Sequence, residues 1–330
     1  VNLKTQQGRD IIYKLVGSAD VFVQNFRQGV AERLGVGYDT LHEINPLLVY
    51  GSASGYGPNG PDSALPSFDG CGQARGGLMI SATPVGTKVP SRVSGGVSDQ
   101  IGAIMLCQGV LAALVARHTQ GIGQKVDTSH LSANMWLQGL GISMAMMMGV
   151  DMGAYERDNP RNALANLYMC KDERWIQLMH LQPDRYWESF MTVMGLEDLI
   201  SDPRFETMDM RMNHGRELVE ALDAAFITKT FDEWDKIFRS GYDFIYAKVQ
   251  GITELVDDPQ VISNDYITNF DHPTIGPVQM CNHPNIYSET PSGIFREAPE
   301  LGQHTEEILI DELDYSWDDI NDLRDAGVIL

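Results

Sequence analysis

Cysteine is scarce in this 330-residue sequence. Only Cys71, Cys107, Cys170 and Cys281 occur, far apart and with no CxxC pair, which gives neither a structural zinc site nor a disulfide framework. The pattern fits a reducing, cytoplasmic setting and a chemistry without metal. Positive charge is short too: 24 Lys and Arg stand against 45 Asp and Glu, a net charge of -21. Nucleic acid and anionic membrane both reward clustered cations, so neither is expected as the main partner. No stretch reads as a signal peptide, and the longest apolar segments are broken by Gln, Arg or several Gly, which argues against a membrane span. An initiating Met is also absent. The chain opens at Val1 in a strand-like Val-Asn-Leu-Lys, so an N-terminal part is expected to be missing.

With 43% hydrophobic residues the chain can bury a sizeable core, and its length suits two domains. Acidity gathers at the end, where residues 297–330 hold eleven acids against one Arg and read as a solvated face of terminal helices. In the first half, a helical Gly8–Ser18, a short apolar strand Asp20–Gln24, a helix within Ala31–Ile44 and a buried strand Leu47–Ser52 alternate at βαβ spacing. That alternation predicts an α/β fold, a Rossmann-like domain with a parallel sheet. Lys125–Thr128 is a further strand. The helix from Leu131 ends in a Met cluster (Met144, Met146, Met147, Met148) that suits an irregular core or a subunit contact better than a cofactor.

After a polar break come a hairpin over Tyr168–Ile176, Trp- and Phe-rich helices to about Phe238, and mixed strands to about Ile286. The tail from Pro299 returns to helix, with Thr305 and Asp314 as its expected caps. The organisation expected is a large α/β domain over 1–150, a linker over 151–165, a smaller α+β domain over 166–286, and C-terminal helices over 287–330 that return to the large domain.

One acid stands out. Asp99 lies between the Gly95-Gly96 pair and the almost uncharged run Gln100–His118, which reads as a buried helix with small residues at Gly102, Ala103, Gly109, Ala112 and Ala113. As the N-cap of that helix, Asp99 would accept backbone N–H groups at the positive end of the dipole, and both effects favour its ionised form. The glycines leave the backbone beside it open to a ligand. A plain structural cap meets the same local pattern, so the wider sequence decides. Two other patterns carry less. Gly51-Ser-Ala-Ser-Gly55 has Ala53 where a hydrolase nucleophile elbow requires Ser, and the aromatic residues in His180–Trp187 suit a core.

Several segments do decide: Val21–Val30 (VFVQNFRQGV), Arg33–Tyr38 (RLGVGY), Ile44–Pro46, Gly51–Gly57 (GSASGYG), Thr119–Gln124, Asp202–Phe205 (DPRF) and Ala298–Glu307 (APELGQHTEE). In this order, across nearly the whole chain, they resemble the family III CoA-transferases (CaiB/BaiF), which include formyl-CoA, carnitine and bile-acid CoA-transferases. The resemblance implies that Asp99 is the nucleophile, with coenzyme A as co-substrate and an acyl-CoA and a carboxylic acid as substrates. A transferase of this kind must keep the thioester's free energy from water. A carboxylate does so by forming a mixed anhydride with the donor acyl group and then an aspartyl-CoA thioester, with no general-base histidine required and none evident beside Asp99.

The resemblance further implies CoA contacts at Lys4, Asn25, Phe26, Arg27 and Arg33, an acyl pocket at Phe68 and Asp69, and an interlocked homodimer with Asp99 near the domain boundary. Some members carry a glycine loop in the smaller domain for oxyanion binding; Arg157–Ala163 has no glycine, so that role stays unassigned. The related α-methylacyl-CoA racemases carry a His-Asp pair at the position of Phe68-Asp69, and a phenylalanine cannot carry a proton. That weighs against a racemase. A non-catalytic CoA-binding protein is the remaining alternative.

Overall fold

A computed structural model describes residues 1–149 and 155–330; part of the linker expected over 151–165 lies outside the described residues. The chain forms two compact units, Val1–Ala154 with Pro299–Leu330, and Tyr155–Ala298.

The first unit is built on three parallel strands in the order β1 (Val21–Gln24), β2 (Val49–Ser54), β3 (Gln124–Ser129). The apolar runs behind β1 and β2 are those legible in the sequence. Helix α1 (Gln6–Ser18) precedes β1, helices α2 (Val30–Arg33) and α3 (Tyr38–Ile44) link β1 to β2, and Val16, Val36, Leu41, Leu48 and Tyr50 pack together as a core. Next come α4 (Asp69–Arg75), α5 (Leu78–Ser81), the 24-residue α6 (Val97–Gln120), α7 (His130–Leu137) and α8 (Gly139–Met148). The returning tail buries Leu309, Ile320, Leu323 and Val328 against Ile11 of α1.

Four local expectations are corrected. Val1–Lys4 is a turn rather than a strand: the Asn2 carbonyl accepts from the Thr5 backbone and hydroxyl, and the Asn2 N–H donates to the Val328 carbonyl. Asp99 is not the N-cap of the long helix, because Gly96 holds that place with φ at +72°, and Gly95 before it has φ at +90°. Such angles are strained for residues with a Cβ, so the glycine pair sets where the helix begins. Thr305 and Asp314 cap nothing; the last helix, Trp317–Asp325, is capped reciprocally by Ser316 and Asp319. Finally, α6 is half-covered rather than buried. Its Gly102, Leu106 and Ala113 side faces inward, and Gly109 comes so close to β3 that a Cβ there would meet Val126 at 2.6 Å, but Ile104, Leu111 and Val115 are exposed. By length and composition this helix could cross a bilayer; here it packs along β2 and β3.

The helix expected from Leu131 breaks at Gln138, whose side chain donates to the Gly76 and Asn134 carbonyls. Among the described residues of its own unit, the Met cluster beyond the break is largely uncovered. Met146 and Met147 are 81% and 86% exposed.

The second unit joins an antiparallel sheet, β4 (Leu167–Met169), β5 (Trp175–Leu178) and β6 (Tyr246–Lys248), to the helices α9 (Pro183–Met194), α10 (Met208–Asn213), α11 (Gly215–Phe226) and α12 (Phe231–Arg239), with a separate hairpin β7 (Ile267–His272) and β8 (Gly276–Cys281). Its core is aromatic: Phe190, Phe226, Trp234, Phe238 and Phe244 meet at centroid distances of 5.1 to 6.5 Å. His180 sits wholly inside it, its Nε2 accepting from the Ile245 N–H and its ring 4.5 Å from Tyr186.

Burial pushes the His180 imidazole down from 6.5 to about 4. The unfolded chain therefore binds a proton that the folded chain refuses throughout that window, so stability is whole above pH 6.5 and declines as pH falls towards 4. Denaturant midpoints are expected to show a loss of about 1 kcal/mol between pH 7 and pH 5.5 that His180→Asn removes. Equal slopes in the two proteins would sink this reading.

Candidate active site

A cavity of about 610 Å³ opens at the carboxyl ends of all three parallel strands. Open parallel sheets place ligands there because the strand-to-helix loops diverge at that edge, and the volume lies in the range of small-molecule sites. Its walls come from Val23–Gln28 at the end of β1, Ala53–Gly55 at the end of β2, Thr128–His130 at the junction of β3 and α7, the loop carrying Ser63, Leu65, Ser67 and Phe68, and the first turns of α6.

Asp99 stands in the first turn of α6 with its side chain 60% exposed to that space. One carboxylate oxygen, Oδ1, lies 2.9 Å from His130 Nε2. Among the described residues, Oδ2 has no hydrogen-bond partner. The ring's other nitrogen, Nδ1, is 3.1 Å from Ser67 Oγ.

The helix start that carries Asp99 is held from two sides. Asp69 Oδ1 accepts the Ser98 N–H at 2.7 Å, and Asp69 Oδ2 accepts from Gln73 Nε2 at 2.8 Å. Asn134 on α7 donates to Ser98 Oγ and to the His130 carbonyl, both at 2.8 Å. Ser98, Gln73 and Asn134 are fully buried while Asp69 is half-buried, so the Asn134–Ser98 bond is made away from water, where it is strongest, and the others are partly shielded.

The sequence model for CoA-transferase family III matches residues 1–305. Over all of this chain and 82% of its own length, the (R)-2-hydroxy-4-methylpentanoate CoA-transferase of Clostridioides difficile is 32% identical. The cinnamoyl-CoA:phenyllactate CoA-transferase of Clostridium sporogenes is 31% identical, over 98% of this chain and 79% of its own. Rv3272 of Mycobacterium tuberculosis, in its orthorhombic crystal structure, superposes with a TM-score of 0.81 at 25% identity, covering 93% of this chain and 79% of that one. The chain belongs to CoA-transferase family III.

It is therefore an enzyme of the CoA-transferase type, and the site residues implied by that family can be placed. Asn25, Phe26, Arg27, Phe68 and Asp99 all line the cavity. Phe68 is at its mouth, 77% exposed. Lys4 and Arg33 are exposed on the same unit but outside the lining, and neither is ion-paired among the described residues. Asp69 does not line the cavity; its carboxylate is turned to Ser98 and Gln73.

The residue that sequence reasoning missed in this family III enzyme is His130, since a histidine does stand beside Asp99. The usable signal was its place at the end of a strand, immediately after Ser129, whose hydroxyl caps α7. Among the described residues no cluster of three or more metal-ligating side chains occurs.

Proposed function

We propose that this enzyme moves CoA from an acyl-CoA to a free carboxylic acid with Asp99 as covalent nucleophile. The observation that carries the reading is a carboxylate with one oxygen free among the described residues, at a helix N-terminus, facing a cavity at the strand ends of a family III chain. Asp99 attacks the thioester carbonyl; the C–S bond breaks and CoA leaves as thiolate, giving a mixed anhydride. The thiolate attacks the aspartyl carbonyl, forming aspartyl-CoA and releasing the donor acid. An acceptor carboxylate then repeats both steps in reverse and leaves with CoA, restoring Asp99. Arg27 and Phe26 at the rim are suited to phosphate and adenine, as a cation and a stacking aromatic.

The same reading takes the protein as a homodimer working in the cytoplasm. The exposed apolar sides of α6 and α8, including Leu111, Val115, Met146 and Met147, support a subunit contact. The test is a screen of acyl-CoA donors against acid acceptors, starting with cinnamoyl-CoA and the CoA thioester of (R)-2-hydroxy-4-methylpentanoate because two relatives are named for these acids. A CoA adduct on the Asp99 peptide supports the reading, and its absence with every donor favours a binding protein.

A racemase would exchange the α-proton. Run in D₂O, the reaction is expected to return acyl-CoA without deuterium at Cα. Label at Cα with no transfer to an acceptor would make the protein a racemase.

A further inference from the structure

We infer that Ser67 and His130 form a relay that orients the Asp99 carboxylate, the ring accepting from Ser67 and donating to Asp99, so that His130 is a positioning residue for the attack. The inference rests on the reading of Asp99 as nucleophile. An ionised carboxylate only accepts, so His130 Nε2, 2.9 Å from Asp99 Oδ1, is the protonated ring nitrogen. Nδ1 then carries a lone pair and accepts the Ser67 hydroxyl 3.1 Å away. A single neutral tautomer satisfies the whole relay and leaves Asp99 Oδ2 for the substrate.

Backbone packing holds each member in place. At Gly55 an added Cβ would meet Ser67 Cβ at 2.3 Å, and at Gly72 it would meet His130 Cβ at 2.7 Å, so both glycines are needed for Ser67 and His130 to approach. Asn134 bonds Ser98, the neighbour of Asp99, and the carbonyl of His130 itself, which fixes the starts of α6 and α7 against each other. His130 is 19% exposed, against 60% for Asp99. The donor is therefore mostly shielded while the group it orients faces the cavity. A carboxylate held at one oxygen by a neighbouring ring nitrogen loses its free rotation, and misplacing a reacting group by about 1 Å costs on the order of 100-fold in rate.

The same three residue types make hydrolytic triads elsewhere, with the serine as nucleophile. Here Ser67 is bonded on the far side of the ring from Asp99, and the outcome that would give it the nucleophile's part is included in the test. Single-turnover loading by cinnamoyl-CoA and by the CoA thioester of (R)-2-hydroxy-4-methylpentanoate is followed by quenched intact mass and peptide mapping on the full chain.

His130→Leu is expected to slow Asp99 loading about 10- to 100-fold with KM for the donor changed less than about threefold. His130→Gln, whose amide can still donate to Asp99, is expected to recover to within about tenfold of wild type, a rescue that a purely structural role would not produce. Loading of His130→Leu at the wild-type rate overturns the relay while leaving Asp99 as nucleophile. Acyl groups on Ser67, with free acid as product, overturn it in favour of a hydrolase. If the wild type forms no Asp99 adduct with these two or any other donor of the screen, the nucleophile reading falls and the relay with it.

Discussion

Asp99→Asn is expected to lower kcat at least about 10³-fold, within the range that loss of a covalent nucleophile costs, and to abolish the CoA adduct. An amide oxygen carries no full charge and forms no anhydride that a thiolate could open, so the first bond of the cycle is not made. The fold should survive the change. Asparagine keeps an oxygen where Oδ1 now stands 2.9 Å from His130 Nε2, and the helix start is held by Asp69 and Asn134 rather than by Asp99. Circular dichroism and melting temperature near wild type, with no adduct and no turnover, is the outcome that supports the nucleophile. Undiminished turnover in a sample verified free of deamidation removes it.

The parts of this molecule that local sequence encodes were the parts legible in it. The strands at Val21–Gln24 and Val49–Ser54 are short apolar runs bounded by helical patterns, and helices between strands force a parallel sheet, as found. Asp99 was visible as a lone acid between a glycine pair and a long apolar run, a pattern that a plain cap also meets, and the family resemblance decided its role. The start of its helix was misjudged by three residues because positive φ at Gly95 and Gly96 is a backbone property, and the sequence shows only that glycine is permitted there.

His130 was not visible as a neighbour of Asp99, being 31 positions on in the chain. What brings the two together is the packing of α7 on α6, down to the buried pair Ser98 and Asn134. The family resemblance supplied the chemistry but not the partner of the acid. Exposed Met146 and Met147 show another limit: a methionine-rich run reads as apolar surface needing cover, and the sequence alone does not show that the cluster stands out from the unit that carries it.

Asp69→Ala is expected to cost about 2–4 kcal/mol of stability and to reduce kcat about 10- to 100-fold. Two donors lose their acceptor at once. The Ser98 N–H belongs to the first turn of α6, where backbone donors have no helical partner. The Gln73 Nε2 keeps its bond to the Val93 carbonyl but loses the one to Asp69, on a side chain that is itself fully buried. An orphaned buried donor costs about 1–3 kcal/mol, and more where its lost acceptor was charged. Asp69→Asn is expected to fall between, since its oxygen can still take the Ser98 N–H while its amide turns a donor towards Gln73. The effect on rate follows from the helix start, because Asp99 is the next residue after Ser98 and moves with it. Denaturant titration alongside kcat and KM separates this role from direct contact with substrate. A structural acid lowers stability and kcat together with KM little changed, whereas an acid that touches the acyl group would raise KM in a protein of normal stability, and that result would move Asp69 from scaffold to pocket.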